Sequence, residues 1–257
     1  MKSPKRLQSL IDEGLVDEVV RQLMSGKEAT VYVVRRGGET LCAKVYKEAT
    51  QRSFRQAVDY TENRKVRNSR QARAMAAAAG VRVPKPHNFC DGVLLMDLVS
   101  DEHGDAAPRL NDVVFTPEQA RAHHATLLKE VVRMLCAGVV HGDLSEFNIL
   151  LGDDGPVIID LPQAVDAAGN NHAQRMLLRD VANLRGFFGR FAPELLDTDY
   201  GHEIWDLYRR GILDPGVALT GRFEHETGAV DVGNVMREID DARDEEAARR
   251  LRMQALG

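Results

Sequence analysis

The sequence of 257 residues has little cysteine, few aromatic residues and no long apolar run. Its three cysteines, Cys42, Cys90 and Cys136, form no C-x-x-C pair, which disfavours a disulfide framework or a zinc site and favours reduced, mostly buried thiols. No apolar stretch approaches the roughly 18 residues that a membrane span needs, and the first residues lack the apolar core of a secretory signal. We therefore expect a cytoplasmic protein that makes no membrane contact.

Neither sign of charge dominates the chain, which carries 34 Lys and Arg, 39 Asp and Glu, and a formal net charge of −5. This balance gives the whole chain no electrostatic attraction for nucleic acid. The local exception is a basic segment over residues 52–73, where seven Lys and Arg face only Asp59 and Glu62. The segment predicts either a contact with RNA or a solvated basic face. No aromatic residue interleaves the arginines of residues 62–79, which disfavours base stacking.

The most informative stretch is residues 139–164, in which Asp143 and Asn148 are five positions apart and Asp160 ends an apolar run. A carboxylate at Asp143 would hold an attacking hydroxyl group, whereas Asn148 and Asp160 offer the hard oxygen ligands that Mg²⁺ accepts beside phosphates. The alternative is a turn that leads into a buried strand. The spacing of these three residues after a histidine favours phosphoryl transfer.

The N-terminal part predicts three strands, over residues 16–23, 30–35 and 40–46. The turn between the first two contains Ser25 and other small residues, which let backbone N–H groups approach phosphate oxygens. Lys44 alternates with apolar residues in the third strand, the strand in which kinases place a phosphate-pairing lysine. Each signal is weak alone, because a lysine in a strand is usually part of a solvated face.

Helices are predicted where apolar residues recur at helical spacing. The segments are residues 4–14, 66–79, 117–137, 176–188 and 203–210. Thr116 and Gln119, with Pro117 between them, predict a capping box at the start of the third helix. His123 and His124 are adjacent and point in different directions, so surface or capping roles are expected rather than metal binding.

Four motifs in combination, SGKEATVY, AKVYK, HGDLSEFN and IIDLPQAV, resemble those of the RIO family of atypical serine/threonine protein kinases, and most of all its bacterial members. The resemblance covers roughly residues 15–191. It implies an α+β, two-lobed protein-kinase-like fold, with a small β-rich N-lobe, a helical C-lobe and ATP in the cleft between them. The expected divisions are an N-terminal helix (1–14), an N-lobe (15–98), a C-lobe (99–215) and a charged C-terminal extension (216–257).

The resemblance also implies how ATP would be held. Ser25 and the neighbouring backbone would cover the phosphates, and Lys44 would pair the α- and β-phosphates. The hinge backbone around Asp97–Val99, with Leu98 at its centre, would hold adenine, and Met96 would lie behind it.

For the chemistry, the resemblance implies that Asn148 and Asp160 would hold Mg²⁺ and that Asp143 would accept the proton of a Ser or Thr hydroxyl group, including by autophosphorylation. A second route implied by the family is transfer of the phosphoryl group to Asp160, followed by hydrolysis, which would make the chain an ATPase. Gly142 and Leu161-Pro162 replace residues of conventional kinases that serve a phosphorylated activation loop.

One departure from the family concerns the partner of Lys44. Residues 63–90 contain no Glu or Asp, and the region looks short for the family, so the glutamate that would pair with this lysine is missing. Glu62 would replace it only in a different register. This departure favours an alternative, a non-catalytic ATP-binding scaffold in ribosome assembly.

The other alternative is a small-molecule kinase of the aminoglycoside-phosphotransferase type, which shares H-G-D-x-x-x-x-N. Those enzymes tend to carry His-Pro-Gly before the asparagine, whereas this chain carries Ser145, Glu146 and Phe147. The protein substrate is not identified by the sequence.

Overall fold

The computed structural model describes residues 5–26, 29–47 and 69–224. The helices are α1 (Lys5–Asp12), α2 (Ser69–Ala78), α3 (Pro117–Cys136), α4 (Ala173–Phe188) and α5 (Tyr200–Arg209). The strands are β1 (Glu18–Ser25), β2 (Ala29–Arg36), β3 (Glu39–Tyr46), β4 (Pro86–Cys90), β5 (Val93–Asp97), β6 (Val139–Val140), β7 (Ile149–Gly152), β8 (Gly155–Ile158) and β9 (Val165–Asp166). Most of the predicted basic segment and most of the predicted C-terminal extension lie outside the described residues.

The first five strands form one antiparallel sheet in the order β1-β2-β3-β5-β4. Two of its hairpins turn through residues with positive φ, Gly37 (57°) and Gly38 (86°) in one and Asp91 (47°) and Gly92 (73°) in the other. Tight hairpin turns require such a conformation at both central positions, because it matches the right-handed twist of the strands. These turns therefore fix the register that places Lys44 in the middle of the sheet.

Helix α1 covers one face of this sheet. Leu7 and Leu10 are fully buried and share a core with Val34 and Leu95 of the strands. The predicted helix over residues 4–14 is thus present, and its apolar stripe closes the core of the β-rich part.

The helical part has its own core, built on α3 and α4. Helix α3 begins with the predicted capping box, in which Thr116 Oγ1 accepts from the Gln119 N–H at 3.2 Å and Gln119 Oε1 accepts from the Thr116 N–H at 3.0 Å. Helix α2 also packs here, since Ala72 and Ala76 are fully buried in this core rather than in that of the sheet. The sheet and the helical part together form the predicted two-lobed, kinase-like α+β fold.

Two expectations from the sequence are wrong. His124 is 2% exposed rather than on the surface, because it packs between Phe188 and Tyr200 in the helical core. The thiols are not mostly buried either: Cys42 is buried, but Cys90 is partly exposed and Cys136 is exposed. Both errors arise because a one-dimensional pattern does not fix which face of an element meets its neighbour.

Within the described residues, no helix combines the length and the apolar character that crossing a membrane requires.

Candidate active site

A cleft of about 750 Å³ opens between the sheet and the helical part. Four of the predicted site residues line it: Lys44, Met96, Leu98 and Asp160. Because Met96 belongs to β5 and Leu98 follows that strand directly, the segment that leaves the sheet forms one wall of the cleft.

Lys44 projects from the centre of the sheet toward the opposite wall of the cleft. Its neighbours across the ladder are Val31 of β2 and Leu94 of β5, so its backbone is fixed on both sides. Its Nζ lies 2.8 Å from Oδ1 of Asp160, 116 positions later in the chain. The Lys44 side chain is 15% exposed and that of Asp160 is 35% exposed, so the pair remains open to a ligand. The residue that pairs with this lysine is therefore an aspartate from the helical part.

Asp160 has a left-handed backbone conformation, with φ of 64°. Such a conformation is uncommon for residues other than glycine and concentrates at functional sites, where the surrounding structure holds it. Here the holding contacts are on both sides of the residue: the Ile159 N–H donates to the Asn148 carbonyl at 2.9 Å, and Leu161 is fully buried. Pro162 then follows, so the chain leaves the site through a residue with a fixed φ.

Asp143 and Asn148 lie in the loop between β6 and β7 and contact each other. Asn148 Nδ2 donates to the Asp143 carbonyl oxygen at 2.8 Å and to Asp143 Oδ2 at 3.3 Å. This orientation of the amide leaves Asn148 Oδ1 as an available oxygen ligand. Asp143 is exposed, which is what a group that meets an incoming hydroxyl needs.

His141 connects this loop to the aspartate strand. Its Nδ1 accepts from the Asp143 N–H at 3.3 Å, which assigns the ring proton to Nε2, and Nε2 then donates to the Ile159 carbonyl at 3.1 Å. His141 is 2% exposed. The histidine thus has a positioning role, linking the backbone of Asp143 to the residue before Asp160.

Asp180 of α4 lies beneath the same loop. Its Oδ2 accepts from the Gly142 N–H at 2.8 Å, and its Oδ1 accepts from the Leu144 N–H at 2.9 Å. Burial raises the pKa of Asp180 to about 6, although the two backbone N–H donors and the charge of Arg179 act in the opposite direction. The carboxylate therefore holds both residues that flank Asp143.

Two further side chains of α4 donate hydrogen bonds to the loop. Arg179 Nη2 donates to the Gly142 carbonyl at 2.6 Å, and Asn183 Nδ2 donates to the Leu144 carbonyl at 2.9 Å. Gly142 itself has φ of 79°, and a Cβ there would lie 2.9 Å from the Gln163 carbonyl oxygen. The sequence predicted a helix at this position but gave no signal that Arg179, Asp180 and Asn183 on it support this loop.

The remaining predicted residue, Ser25, ends β1. It is exposed, and its Oγ lies 3.3 Å from Thr30 Oγ1 of the neighbouring strand. The cleft is lined instead by the next residue, Gly26, whose N–H donates to the Ala29 carbonyl at 2.9 Å. Lys27 and Glu28 lie outside the described residues, so a phosphate-covering role for Ser25 stays a prediction.

Asp97 and Arg73 are among the charged residues of the cleft lining to which the sequence assigned no side-chain role. Asp97 follows Met96 and is held by His87, whose Nε2 lies 2.6 Å from Asp97 Oδ1. Arg73 of α2, which the sequence placed in the basic segment, is 5% exposed and lines the cleft. Arg73 is therefore not part of a solvated basic face, because the small residues around it bring α2 close to its neighbours.

The donor set fits Mg²⁺. In the antiparallel pair of β7 and β8, Ile149 is opposite Ile158, which places Asn148 opposite Ile159 and one residue from Asp160. An amide oxygen and a carboxylate are the hard ligands that this cation takes when phosphate oxygens and water complete an octahedron. Asp160 Oδ2 is not engaged by Lys44, which contacts Oδ1.

Comparisons with known proteins identify the family of this chain. The sequence profile described as the RIO domain matches residues 30–200. The RIO-type serine/threonine-protein kinase Rio1 of Haloferax volcanii is 35% identical over 200 residues, covering 70% of this chain and 67% of that protein. Rio1 of Methanocaldococcus jannaschii is 31% identical over 222 residues, covering 78% of this chain and 71% of that protein. The match to serine/threonine-protein kinase rio1 of Schizosaccharomyces pombe, at 28% identity, spans only 41% of that longer protein.

A crystal structure of a kinase domain is also similar, with a TM-score of 0.46 and 16% identity over 69% of this chain and 63% of that one.

Proposed function

The chain belongs to the RIO family of atypical protein kinases, and from this premise we propose that it is an ATP-dependent phosphotransferase acting on Ser or Thr hydroxyl groups. The single observation that carries the proposal is the contact between Lys44 and Asp160. It joins the lysine of the sheet to the aspartate of the helical part across the cleft, at 2.8 Å. A kinase needs both groups at the triphosphate, a lysine that pairs the phosphates and an aspartate that holds the metal.

ATP would occupy the cleft, with its adenine against the wall formed by Met96 and Leu98. Lys44 would exchange its contact with Asp160 for one with the α- and β-phosphates. Ser25 and the backbone around it would cover the phosphates from the other side. These assignments are supported by the positions of Lys44, Met96 and Leu98 in the cleft lining.

The chemistry follows from the catalytic loop. Asp143 would accept the proton of the substrate hydroxyl group while the hydroxyl oxygen bonds to the γ-phosphorus. The bond between that phosphorus and the β,γ-bridging oxygen would break and release ADP. Asn148 and Asp160 would hold Mg²⁺, which when bound neutralises charge on the phosphate oxygens. His141 and Asp180 would keep the backbone of Asp143 in place.

A second route uses the same residues, with Asp160 as the acceptor of the phosphoryl group. Its carboxylate oxygen would bond to the γ-phosphorus, ADP would leave, and water would then release inorganic phosphate and restore the carboxylate. The exposed fraction of the Asp160 side chain, 35%, supports this route because the group is accessible from the cleft. The chain would then act as an ATP-driven switch.

The test is incubation with γ-labelled ATP and Mg²⁺, using the natural chain and Asp160→Asn. Label on Ser or Thr that resists acid would establish protein kinase activity. Released phosphate with a hydroxylamine-sensitive label, absent in Asp160→Asn, would establish the aspartyl-phosphate route. ATP binding without label or release would contradict both routes and favour the scaffold in ribosome assembly.

A partner for the basic segment is a separate proposal. Residues 52–70 contain six Lys and Arg, which would attract RNA or a ribosomal surface through phosphate contacts. Binding to RNA in the cytoplasm would be strongly salt-dependent. Filter binding at several salt concentrations, with these six residues replaced by Gln, tests it.

A further inference from the structure

Arg73 of α2 is a buried cation in the wall of the cleft. Its side chain is 5% exposed and lines the cleft together with Lys44 and Asp160. Arginine is almost never buried to this extent unless it is paired. Over residues 5–26, 29–47 and 69–224, however, no hydrogen bond or ion pair involves the Arg73 guanidinium.

Three acids line the cleft, and each already has a partner. Asp160 is 2.8 Å from Lys44, Asp97 is 2.6 Å from His87, and Asp112 accepts from Asn111 Nδ2 at 2.7 Å. No bond joins Arg73 to any of these acids, so its guanidinium is available to a ligand in the cleft.

We propose that Arg73 is an anion-binding residue of the nucleotide site and contacts a phosphate group of the bound nucleotide. The inference rests on the proposed function, since it names a further residue of the same site. A guanidinium presents several N–H donors in one plane and binds phosphate oxygens in pairs, which is the recognition that an unpaired buried arginine offers.

The absence of a glutamate partner for Lys44 in residues 63–90 explains why a cation at position 73 suits this site. Helix α2 lies in the region where the family resemblance places a glutamate for Lys44, but α2 and its surroundings, residues 63–90, carry no acid. Lys44 takes its carboxylate from Asp160 instead, and α2 contributes a positive charge. Two protein cations, Lys44 and Arg73, then face the phosphates once nucleotide displaces Lys44 from Asp160.

The first experiment measures the dissociation constants of ADP and adenosine without Mg²⁺, for the natural chain and Arg73→Met. Methionine keeps the apolar stem and removes the charge. We expect ADP affinity to fall by about tenfold or more, as for loss of a charge-assisted hydrogen bond, while adenosine affinity changes less than about twofold. Arg35→Met is the control, because Arg35 is an exposed arginine of β2 paired with Glu18 and its loss changes net charge equally.

The second readout is the melting temperature of the ligand-free chain. If Arg73 serves a ligand, removing its uncompensated charge raises the melting temperature, since buried charge without a partner destabilises a fold. If Arg73 is structural, the melting temperature falls and adenosine and ADP weaken together. Arg73→Lys should recover part of the ADP affinity, because it keeps the charge without the fork of donors.

The outcomes separate the two proposals. Unchanged ADP affinity in Arg73→Met, with ADP bound by the natural chain, overturns the role of Arg73 and leaves the proposed function standing. Equal loss of ADP and adenosine binding overturns it as well. Failure of the natural chain to bind ADP at all overturns both.

Discussion

Lys44 Nζ and Asp160 Oδ1 are 2.8 Å apart, although 116 positions separate the two residues in the chain. The contact means that the group proposed to pair phosphate and the group proposed to hold Mg²⁺ neutralise each other before any ligand arrives. Nucleotide and metal must therefore compete with an internal ion pair. In a partly exposed cleft this competition is modest, because solvent screens the pair.

Replacing Lys44 with Met tests that competition. We expect turnover to fall by about 100-fold or more, because the phosphates lose their positioning cation. Binding of Mn²⁺ without nucleotide should become tighter, because Asp160 no longer has an ammonium partner. Electron paramagnetic resonance of free Mn²⁺ measures the second effect, and weaker Mn²⁺ binding in Lys44→Met would contradict the competition.

Asp143→Asn tests the proton acceptor. Loss of a general base costs about 100- to 10,000-fold in turnover, whereas nucleotide affinity should change little because Asp143 is not among the residues that line the cleft. Steady-state kinetics and nucleotide titration provide the two measurements. Asp153→Asn, in the exposed turn between β7 and β8, is the matched control. A large loss of nucleotide affinity would show that Asp143 has another role.

Asp180 makes the stability of the chain depend on pH in an unusual direction. Its pKa is about 6 in the folded chain and 3.8 as its ordinary value, so the folded state binds the proton more tightly. Protonation therefore stabilises the folded state as the pH falls through 6 toward 3.8, by about 3 kcal/mol in total. We expect the natural chain to gain this much relative to Asp180→Asn between pH 7 and pH 4, measured by urea unfolding.

The same protonation should lower activity, since a protonated Asp180 gives up an acceptor for the N–H groups of Gly142 and Leu144. Turnover at saturating nucleotide should then decline below about pH 6 in the natural chain. In Asp180→Asn, turnover should be low and should not show that decline. A variant with full turnover would mean that the loop holds its shape without the carboxylate.

His124 should have the opposite effect to Asp180 on the stability of the chain as the pH falls. Burial lowers its pKa from 6.5 to about 4, and its Nε2 has no hydrogen-bond partner among the described residues. The folded state therefore loses stability as the pH falls from 6.5 toward 4, by up to about 3 kcal/mol. His124→Phe should be more stable at pH 7 by about 1 kcal/mol, because the orphaned polar atom is removed.

Thermal unfolding at pH 7 and pH 5 compares the natural chain with His124→Phe, and the difference should widen at pH 5. Phosphotransferase activity at pH 7 should not change, since His124 is not among the residues that line the cleft. His123→Phe, the partly exposed neighbour, is the control. An unchanged difference between the two pH values would mean that His124 is not protonated on unfolding in that range.

Gly142→Ala should reduce turnover more than stability. The new Cβ would lie 2.9 Å from a backbone oxygen of Gln163 at a φ of 79°, so the loop must shift. A shift of this kind moves Asp143, which costs turnover by about 100-fold for a displacement near 1 Å. Gly186→Ala in α4 is the control, because nothing lies within 4 Å of its added Cβ. Equal turnover of the two variants would contradict the need for glycine at position 142.

Much of the fold could be predicted because its signals are local. The sheet follows from alternation and from glycine-rich turns, and the start of α3 follows from Thr116 and Gln119, whose hydrogen bonds span three residues. The boundary of β1 was less accurate: Val16, predicted to open the strand, is buried before it begins at Glu18. Burial alone does not distinguish a strand from the turn that precedes it.

The candidate site could be predicted where short sequence motifs contain its residues. Asp143, Asn148 and Asp160 lie within one short stretch, and the motif identifies them together. The partner of Lys44, the support from Asp180 and the burial of Arg73 depend on contacts between distant segments. The sequence pattern indicated residues 63–90 as the source of a partner for Lys44, whereas in the structure Asp160 pairs with it from the other lobe.

The backbone at Asp160 has a consequence for how the cleft can be inhibited. Conventional kinases place Phe-Gly after this aspartate, and a glycine allows the aspartate and the aromatic ring to exchange places. Here Leu161 is fully buried and Pro162 fixes the next φ, so the aspartate is anchored on its C-terminal side. We therefore expect inhibitors that require the space emptied by such an exchange to bind weakly, and compounds selective for this chain must instead compete with the ion pair of Lys44 and Asp160.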